Sequence, residues 1–266
     1  MYSFNYVKAG SLKEVSDFLQ ANPEARPLAG GMTLIPTLKA RLAQPSHLVD
    51  ISMLEELKGI EVKNGALNIG ANMKHAEVAR SKAVRDAIPA LADLAQHIGD
   101  PAVRNCGTIG GSVANNDPAA DYPAGVLGLN ATVITDRREI PADDFFQGMF
   151  TTALEPGELV IRLSFPLAKR AAYQKFAHPA SGYAMAGVFV AETNNGVRVA
   201  VTGAGPGVFR WSEAESALGK NMGVEALAGL ATDADGMNED IHGSREYRAN
   251  LVNVLTRRAV AKLIGG

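Results

Sequence analysis

Residues 104–123 read RNCGTIGGSVANNDPAADYP. Gly107, Gly110 and Gly111 sit there among Thr108, Ser112, Asn115, Asn116, Asp117 and Asp121. Bare backbone beside small hydroxyl and amide groups offers donors for phosphate oxygens and acceptors for sugar hydroxyls. That is what a pyrophosphate and a ribitol chain require. A carboxylate such as Asp121 opposes phosphate but suits hydroxyl donors. The glycines and prolines between Gly99 and Pro123 predict a long loop. A structureless stretch of that length inside a compact domain is usually functional.

Upstream by about 80 residues, 28–36 read LAGGMTLIP. A short strand over 26–28 runs into Gly30-Gly31, and a helix is expected from Thr33, with Leu34, Leu38 and Leu42 along one side. Paired glycines allow positive φ and leave no Cβ to block a ligand. The unpaired N–H groups that follow favour an anion. Around this turn the pattern predicts a helix over 11–20, with Ser11 and Glu14 at capping-box spacing, and a strand over 47–51.

Beyond Gly59, two apolar runs flanking Asn64-Gly65 predict a β-hairpin. A helix follows over 88–98, with Ile88, Leu91, Ala95 and Ile98 in register. Strands are expected over 131–135 and 159–165, and residues 166–170 are the best boundary. After it, strands over 171–176, 185–193 and 197–202 read as antiparallel, with a turn at Asn194-Asn195-Gly196. Helices are expected from Ser212, with Glu215 at capping-box spacing, and over 245–263. In the last one Tyr247, Leu251, Val254 and Leu255 face inward, and Arg257, Arg258 and Lys262 face solvent.

Composition narrows the classes. The 266 residues are 47% hydrophobic and 20% charged, as in an ordinary globular protein and unlike a disordered one. With 26 basic and 28 acidic residues the formal charge is −2, which leaves no electrostatic footprint for nucleic acid or an anionic membrane. The single cysteine, Cys106, can neither close an internal disulfide nor hold an iron–sulfur cluster, which needs about four cysteines. No signal peptide or transmembrane segment is visible, so the expected location is cytoplasmic.

Taken together, the two glycine turns resemble those of the flavin-binding middle subunit of the xanthine dehydrogenase and aerobic carbon monoxide dehydrogenase family, the molybdenum hydroxylases. The first family turn, roughly A-G-G-x-x-L, is matched by Ala29-Gly30-Gly31-Met32-Thr33-Leu34. The second, roughly T-I-G-G-N with P and D downstream, is matched by Thr108-Ile109-Gly110-Gly111-Ser112, Pro118 and Asp121. The likeness continues in PGELV (156–160), YQKFAHPASGYA (173–184) and HGSREYR (242–248), so it spans nearly the whole chain. Ser112 stands where asparagine is common, Met32 where a small polar residue or histidine is common, and Pro179 near a frequent arginine.

The resemblance implies an α+β protein: a two-subdomain FAD-binding fold of the PCMH type over 1–166 (subdomains about 1–57 and 58–166), then a smaller α/β domain over 167–266 with an antiparallel sheet and helices. It implies FAD as cofactor, with backbone from Ala29 through Ile35 and at 108–112 holding the pyrophosphate and Leu28 also among the cofactor-binding residues. Asp121 would bind the sugar part, Asn115 and Asp117 would also belong to the cofactor site, and Val160, Lys175, Tyr183 and Ile98 would lie near the flavin ring. The implied role is an oxidoreductase subunit that passes electrons from a small 2Fe-2S subunit to a quinone, NAD or oxygen. A molybdopterin-binding large subunit would supply those electrons, and the family analogy is a dimer of three-subunit units.

Two alternatives belong to other classes: a self-sufficient FAD-dependent oxidase, and a non-catalytic assembly module. The first needs an acid–base group over the flavin, which the C-terminal residues do not display. The second is disfavoured by the intact GTIGG run. The other motifs read structurally. Gly203-Ala-Gly205-Pro-Gly207 imitates a dinucleotide fingerprint, but Val208 falls where its third glycine belongs, so a tight turn is expected. Asp143-Asp144 reads as a helix start, Cys106 as a small buried filler, and each of the five histidines as a surface or satisfied group. Gly110→Val is expected to abolish FAD retention by placing a branched Cβ in the cofactor's path.

Overall fold

The computed structural model describes residues 1–265. The chain begins β1 (Asn5–Lys8), α1 (Leu12–Ala21), β2 (Arg26–Leu28), α2 (Leu34–Lys39) and β3 (His47–Asp50). The strands form a parallel sheet ordered β1-β3-β2. Ser11 Oγ caps α1 by accepting from Glu14 N at 3.2 Å, while the Glu14 carboxylate reaches back to Gly10 N at 2.7 Å. Val15 and Leu19 bury the inner face of α1. The apolar stripe expected through Leu42 stops early: α2 ends at Lys39, Arg41 turns left-handed at φ 59°, and Leu42 is 79% exposed.

The second sheet is antiparallel and starts with β4 (Ile60–Lys63) and β5 (Ala66–Gly70). Asn64 and Gly65 both have positive φ, 53° and 76°, as a type I′ hairpin requires. Six short helices follow: α3 (His75–Arg80), α4 (Lys82–Ala87), α5 (Pro89–Gln96), α6 (Pro101–Cys106), α7 (Ile109–Asn115) and α8 (Tyr122–Gly128). Next come β6 (Thr132–Thr135), β7 (Glu139–Pro141), α9 (Ala142–Phe145), the hairpin of β8 (Phe146–Gly148) with β9 (Thr151–Thr152), and β10 (Val160–Pro166). Strand order is β4-β5-β10-β6-β7.

The long loop expected over 99–123 is not a loop. Asp100 Oδ1 accepts from Val103 N at 2.8 Å, and Pro101 fills the first helical position, so α6 starts there. Thr108 Oγ1 accepts from Gly111 N at 3.2 Å, and Asn116 ends α7 in the left-handed conformation at φ 44°. Gly110 and Gly111, which read as loop formers, lie inside that helix.

The third sheet is antiparallel, ordered β11 (Arg170–Ala177), β12 (Ala184–Thr193), β13 (Gly196–Thr202) and β14 (Phe209–Arg210), with α10 (Ser212–Lys220) and α11 (Arg245–Gly265) after it. Both faces of β12 are covered. Phe189 and Ala191 join the core that contains α5 and α8, while Val188 and Val190 join the core that contains α10 and α11. Trp211 rather than Ser212 stands at the N-cap position of α10, with no side-chain cap, and Glu215 instead accepts from Val199 N at 2.9 Å and Arg210 Nε at 2.8 Å. On α11, Leu251 and Leu255 are buried as expected, but Val254 is half-buried and Tyr247 is exposed, edge-on to Phe176. Gly203 is a turn residue at φ 81°, donating to Pro118 O at 2.8 Å. Asp143 lies in α9 and pairs with Arg198.

Candidate functional site

The three sheets meet around one cleft of about 470 Å³, a size usual for a small-molecule site. Its first wall is the β2–α2 turn. Gly31 has φ 69°, and Gly30 packs so closely that an ideal Cβ would lie 2.1 Å from Cys106 O and 2.8 Å from Gly107 Cα. The two turns, about 80 residues apart in sequence, therefore touch through backbone. Only glycine permits that approach.

The turns differ in what they offer. Among the described residues, the N–H groups of 30–34 have no acceptor in the protein. Successive unpaired amides of this kind make an anion-binding concavity. In the second turn the amides of 109–112 are spent. Ile109 N bonds Met73 O at 3.0 Å, Gly110 N bonds Ala71 O at 2.9 Å, Gly111 N bonds Thr108 Oγ1 at 3.2 Å, and Ser112 N bonds Thr108 O at 3.0 Å. It can contribute shape, side-chain groups and the Thr108 amide, but not the run of free amides the sequence suggests. The Gly110 reasoning changes as well. A Cβ there would meet Ala71 Cβ at 2.4 Å, so it would clash with a neighbouring residue of the cleft lining before it met any cofactor.

Leu28, Ala29, Gly30, Gly31, Met32, Thr33, Leu34, Ile98, Thr108, Gly110, Gly111, Ser112, Asn115, Asp117, Asp121, Val160 and Tyr183 all line the cleft. Three expected residues do not. Ile109 is fully buried in the core, Ile35 packs against Gly31 from outside, and Lys175 lies behind Asp121. Lys175 Nζ donates to Asp121 Oδ2 and to the His97 carbonyl, at 3.0 and 2.9 Å. Tyr173 OH donates to Asp121 Oδ1 at 2.5 Å. Burial pushes the Asp121 carboxyl up, against the pull of Lys175 and Tyr173. Both partners come from β11, so this carboxylate is fixed by the third sheet. Ser181 and Tyr183 reach the cleft from the β11–β12 connection.

Sequence reasoning missed several lining groups. Glu158, inside PGELV, is one, and its side chain is 0% exposed. It accepts from Arg138 Nε and Nη2, both at 3.0 Å, from Glu155 N at 2.7 Å, and from Thr135 Oγ1 at 2.8 Å. Although burial pushes the carboxyl up, these donors outweigh it and hold the pKa at about 2. The carboxylate thus braces the turn that carries Leu159 and Val160 to the cleft, with Gly157 at φ 71°. A buried acid whose donors stand at i−23, i−20 and i−3 leaves no local signature in sequence.

Asn72 and His75 were also missed, and His75 is neither a surface nor a satisfied histidine. It is 4% exposed and its Nδ1 has no partner. Burial, reinforced by Arg104, holds its pKa at about 4. Asn72 donates to the Ile51 carbonyl while its Oδ1 is unpartnered. Cys106, expected to be buried, is exposed.

These features can be tested against FAD. A run of free amides in a cradle that a Cβ would fill suits a diphosphate, and hydroxyls at Thr108 and Ser112 with carboxylates at Asp117 and Asp121 suit polyol groups. The residues fit the cofactor.

Comparison with known proteins agrees. The family model for the FAD binding domain in molybdopterin dehydrogenase matches residues 2–168, and that for the CO dehydrogenase flavoprotein C-terminal domain matches 165–263. The chain belongs to the FAD-binding medium subunits of the molybdenum hydroxylases, multi-subunit oxidoreductases that also have large and small subunits. It is 36% identical to the glyceraldehyde dehydrogenase medium chain of Sulfolobus acidocaldarius, with 96% of each chain covered. Against the carbon monoxide dehydrogenase medium chain of Hydrogenophaga pseudoflava it is 34% identical, covering 97% of this chain and 96% of that one. The crystal structure of quinoline 2-oxidoreductase from Pseudomonas putida 86 superposes with a TM-score of 0.90 at 31% identity, covering 100% of this chain and 98% of that one. The α+β, two-domain architecture implied by the resemblance is thereby shown, and FAD is the cofactor of the class. Among the described residues no helix is long and apolar enough to cross a membrane.

Proposed function

We propose that this chain is the electron-transfer module of its complex, taking electrons from iron–sulfur clusters on the small subunit and delivering them to an external acceptor. The supporting observation is the joint formed by Gly30 on Cys106 and Gly107, which sets one run of free amides facing one cleft. Bound there, FAD supplies redox chemistry that accepts electrons singly and releases them in pairs. In this reading the amides of 30–34 hold the diphosphate. Thr108, Ser112, Asn115 and Asp117 meet the sugar and ribityl hydroxyls, and Val160, Ile98 and Tyr183 bound the ring.

The cleft carboxylates favour electron transfer over oxidation of a substrate of its own. Asp121 is held by Tyr173 and Lys175, Glu158 by Arg138, Thr135 and Glu155, and Asp117 accepts from Ala119 N at 2.9 Å. Asp121 and Glu158 are thereby committed to holding structure, and Asp117 in this reading is turned to the ribityl hydroxyls, so none is poised over the ring to take a substrate proton. The molybdenum chemistry and the substrate then belong to the large subunit, and a quinone, NAD or oxygen receives the electrons. To test this, the subunit is purified alone with FAD and then recombined with its partners. Alone it should turn over no organic substrate, while the complete complex should reduce the acceptor only when this subunit carries FAD. Substrate oxidation by the isolated flavoprotein would refute the proposal.

A further inference from the structure

Along the cleft, one side chain has chemistry that the protein itself does not use. His75 begins α3 and is held by its own N–H, which donates to Gly107 O at 3.0 Å. Its ring leans on Tyr122 with centroids 5.4 Å apart. Neither ring nitrogen makes a hydrogen bond among the described residues, and Nδ1 is sealed from solvent. Nε2 lies against Gly107, where an ideal Cβ would come within 2.6 Å of it, and the Gly107 Cα is in turn what a Gly30 Cβ would strike at 2.8 Å. The imidazole edge therefore sits at the joint of the two turns, and His75 lines the cleft.

The sealed nitrogen fixes the tautomer. A buried N–H without an acceptor is rarer and costlier than a buried lone pair without a donor. The proton of the neutral ring thus belongs on Nε2. The ring stays neutral at physiological pH, because burial and Arg104 hold it so. Arg104 does not line the cleft, and its Nη1 is turned to the Ile98 and Gly99 carbonyls at 3.0 and 3.1 Å.

We propose that His75 is a ligand-binding residue that donates Nε2–H to a phosphate oxygen of the diphosphate held by the 30–34 amides. It acts as a neutral donor whose tautomer is set by the sealed Nδ1. The proposal rests on the cleft being the FAD site. A neutral donor adds to the bond without desolvating a second charge beside the anion.

The experiment titrates the FAD-free form of the full chain with FAD, followed by flavin fluorescence, for wild type, His75→Leu and His75→Gln. A donor to a charged oxygen should show as roughly tenfold or greater weakening in His75→Leu. The glutamine variant, which returns an amide N–H near the same place, should recover to within about threefold of wild type. As a check that needs no variant, nitrogen-15 NMR of labelled histidine in the wild type should show His75 as the Nε2–H tautomer, with that nitrogen shifting when FAD is added. Equal FAD affinity in wild type and His75→Leu overturns the proposal. So does equal loss in both variants, or an Nδ1–H tautomer, or an Nε2 signal indifferent to FAD. If wild type itself takes up no FAD, the cleft assignment fails first, and the two failures are thereby distinguished.

Discussion

Gly30→Ala tests the joint on which the site depends. The added methyl would stand 2.1 Å from Cys106 O, 2.7 Å from Cys106 C and 2.8 Å from Gly107 Cα, where non-bonded carbons prefer about 3.5–4.0 Å. All three obstacles are backbone atoms, so no rotamer change relieves them. The turns must part by about 1 Å, and amides aimed at a phosphate at about 2.9 Å then lie beyond hydrogen-bond range. Two such bonds to a charged group, at about 1.5–3 kcal/mol each, give a loss of roughly 3–6 kcal/mol, or about 10²–10⁴ in Kd. Overpacking should also cost the apoprotein about 1–3 kcal/mol, lowering Tm by roughly 2–10 °C. The assay is an equilibrium titration of apoprotein with FAD beside a thermal melt. Gly31→Ala is the control: its Cβ meets side chains and no backbone, Ile35 Cγ1 at 3.0 Å and Leu28 Cδ1 at 3.2 Å, so a small side-chain shift and the left-handed strain of about 1–2 kcal/mol apply, and the affinity loss should stay within about thirtyfold. A Gly30→Ala protein that binds FAD within threefold of wild type would refute the reasoning.

Gly110→Val should unfold or loosen the seam between α7 and β5, because its methyls press on Ala71, and loss of FAD should follow the fall in Tm; FAD loss with an unchanged melt would show that the residue faces the cofactor after all. Lys175→Met strands a buried carboxylate, with both side chains at most 5% exposed, and should cost about 3–5 kcal/mol; adding Asp121→Asn should restore part of it, which chemical denaturation measures. Glu158 has its folded pKa lowered from 4.5 to about 2, so its stabilisation is full above the unfolded value and is lost as pH falls through about 2. That span is worth about 3 kcal/mol, and urea midpoints between pH 6 and 2 should fall less steeply for Glu158→Gln than for wild type.

Local patterns carried the strands well. The Asn64-Gly65 hairpin and the antiparallel pair β12–β13 joined at Asn194-Asn195-Gly196 follow from short-range chemistry, and they appear in the structure. The segment 99–123 misleads because glycine and proline usually mark loops. Proline opening a helix, and glycine inside one, become visible only when Asp100 and Thr108 are recognised as caps and Ala71 as the surface that demands a missing Cβ. The early end of α2 at Lys39 depends on a left-handed Arg41 that apolar spacing does not report. Within the cleft, the motif residues were legible because they sit on two short runs. Glu158, Asn72 and His75 were not, since their meaning lies in partners distant in sequence or in partners they lack.

The carboxylate of Asp121 lies in one domain, and both of its donors, Tyr173 and Lys175, lie on a strand of the next. Phe189 and Ala191 cross the same border to complete the neighbouring core. The C-terminal third is therefore not a portable tail. A chimera that borrows that third from a relative must bring a hydroxyl and an ammonium in the same register, or the host half inherits a charge with nothing to neutralise it.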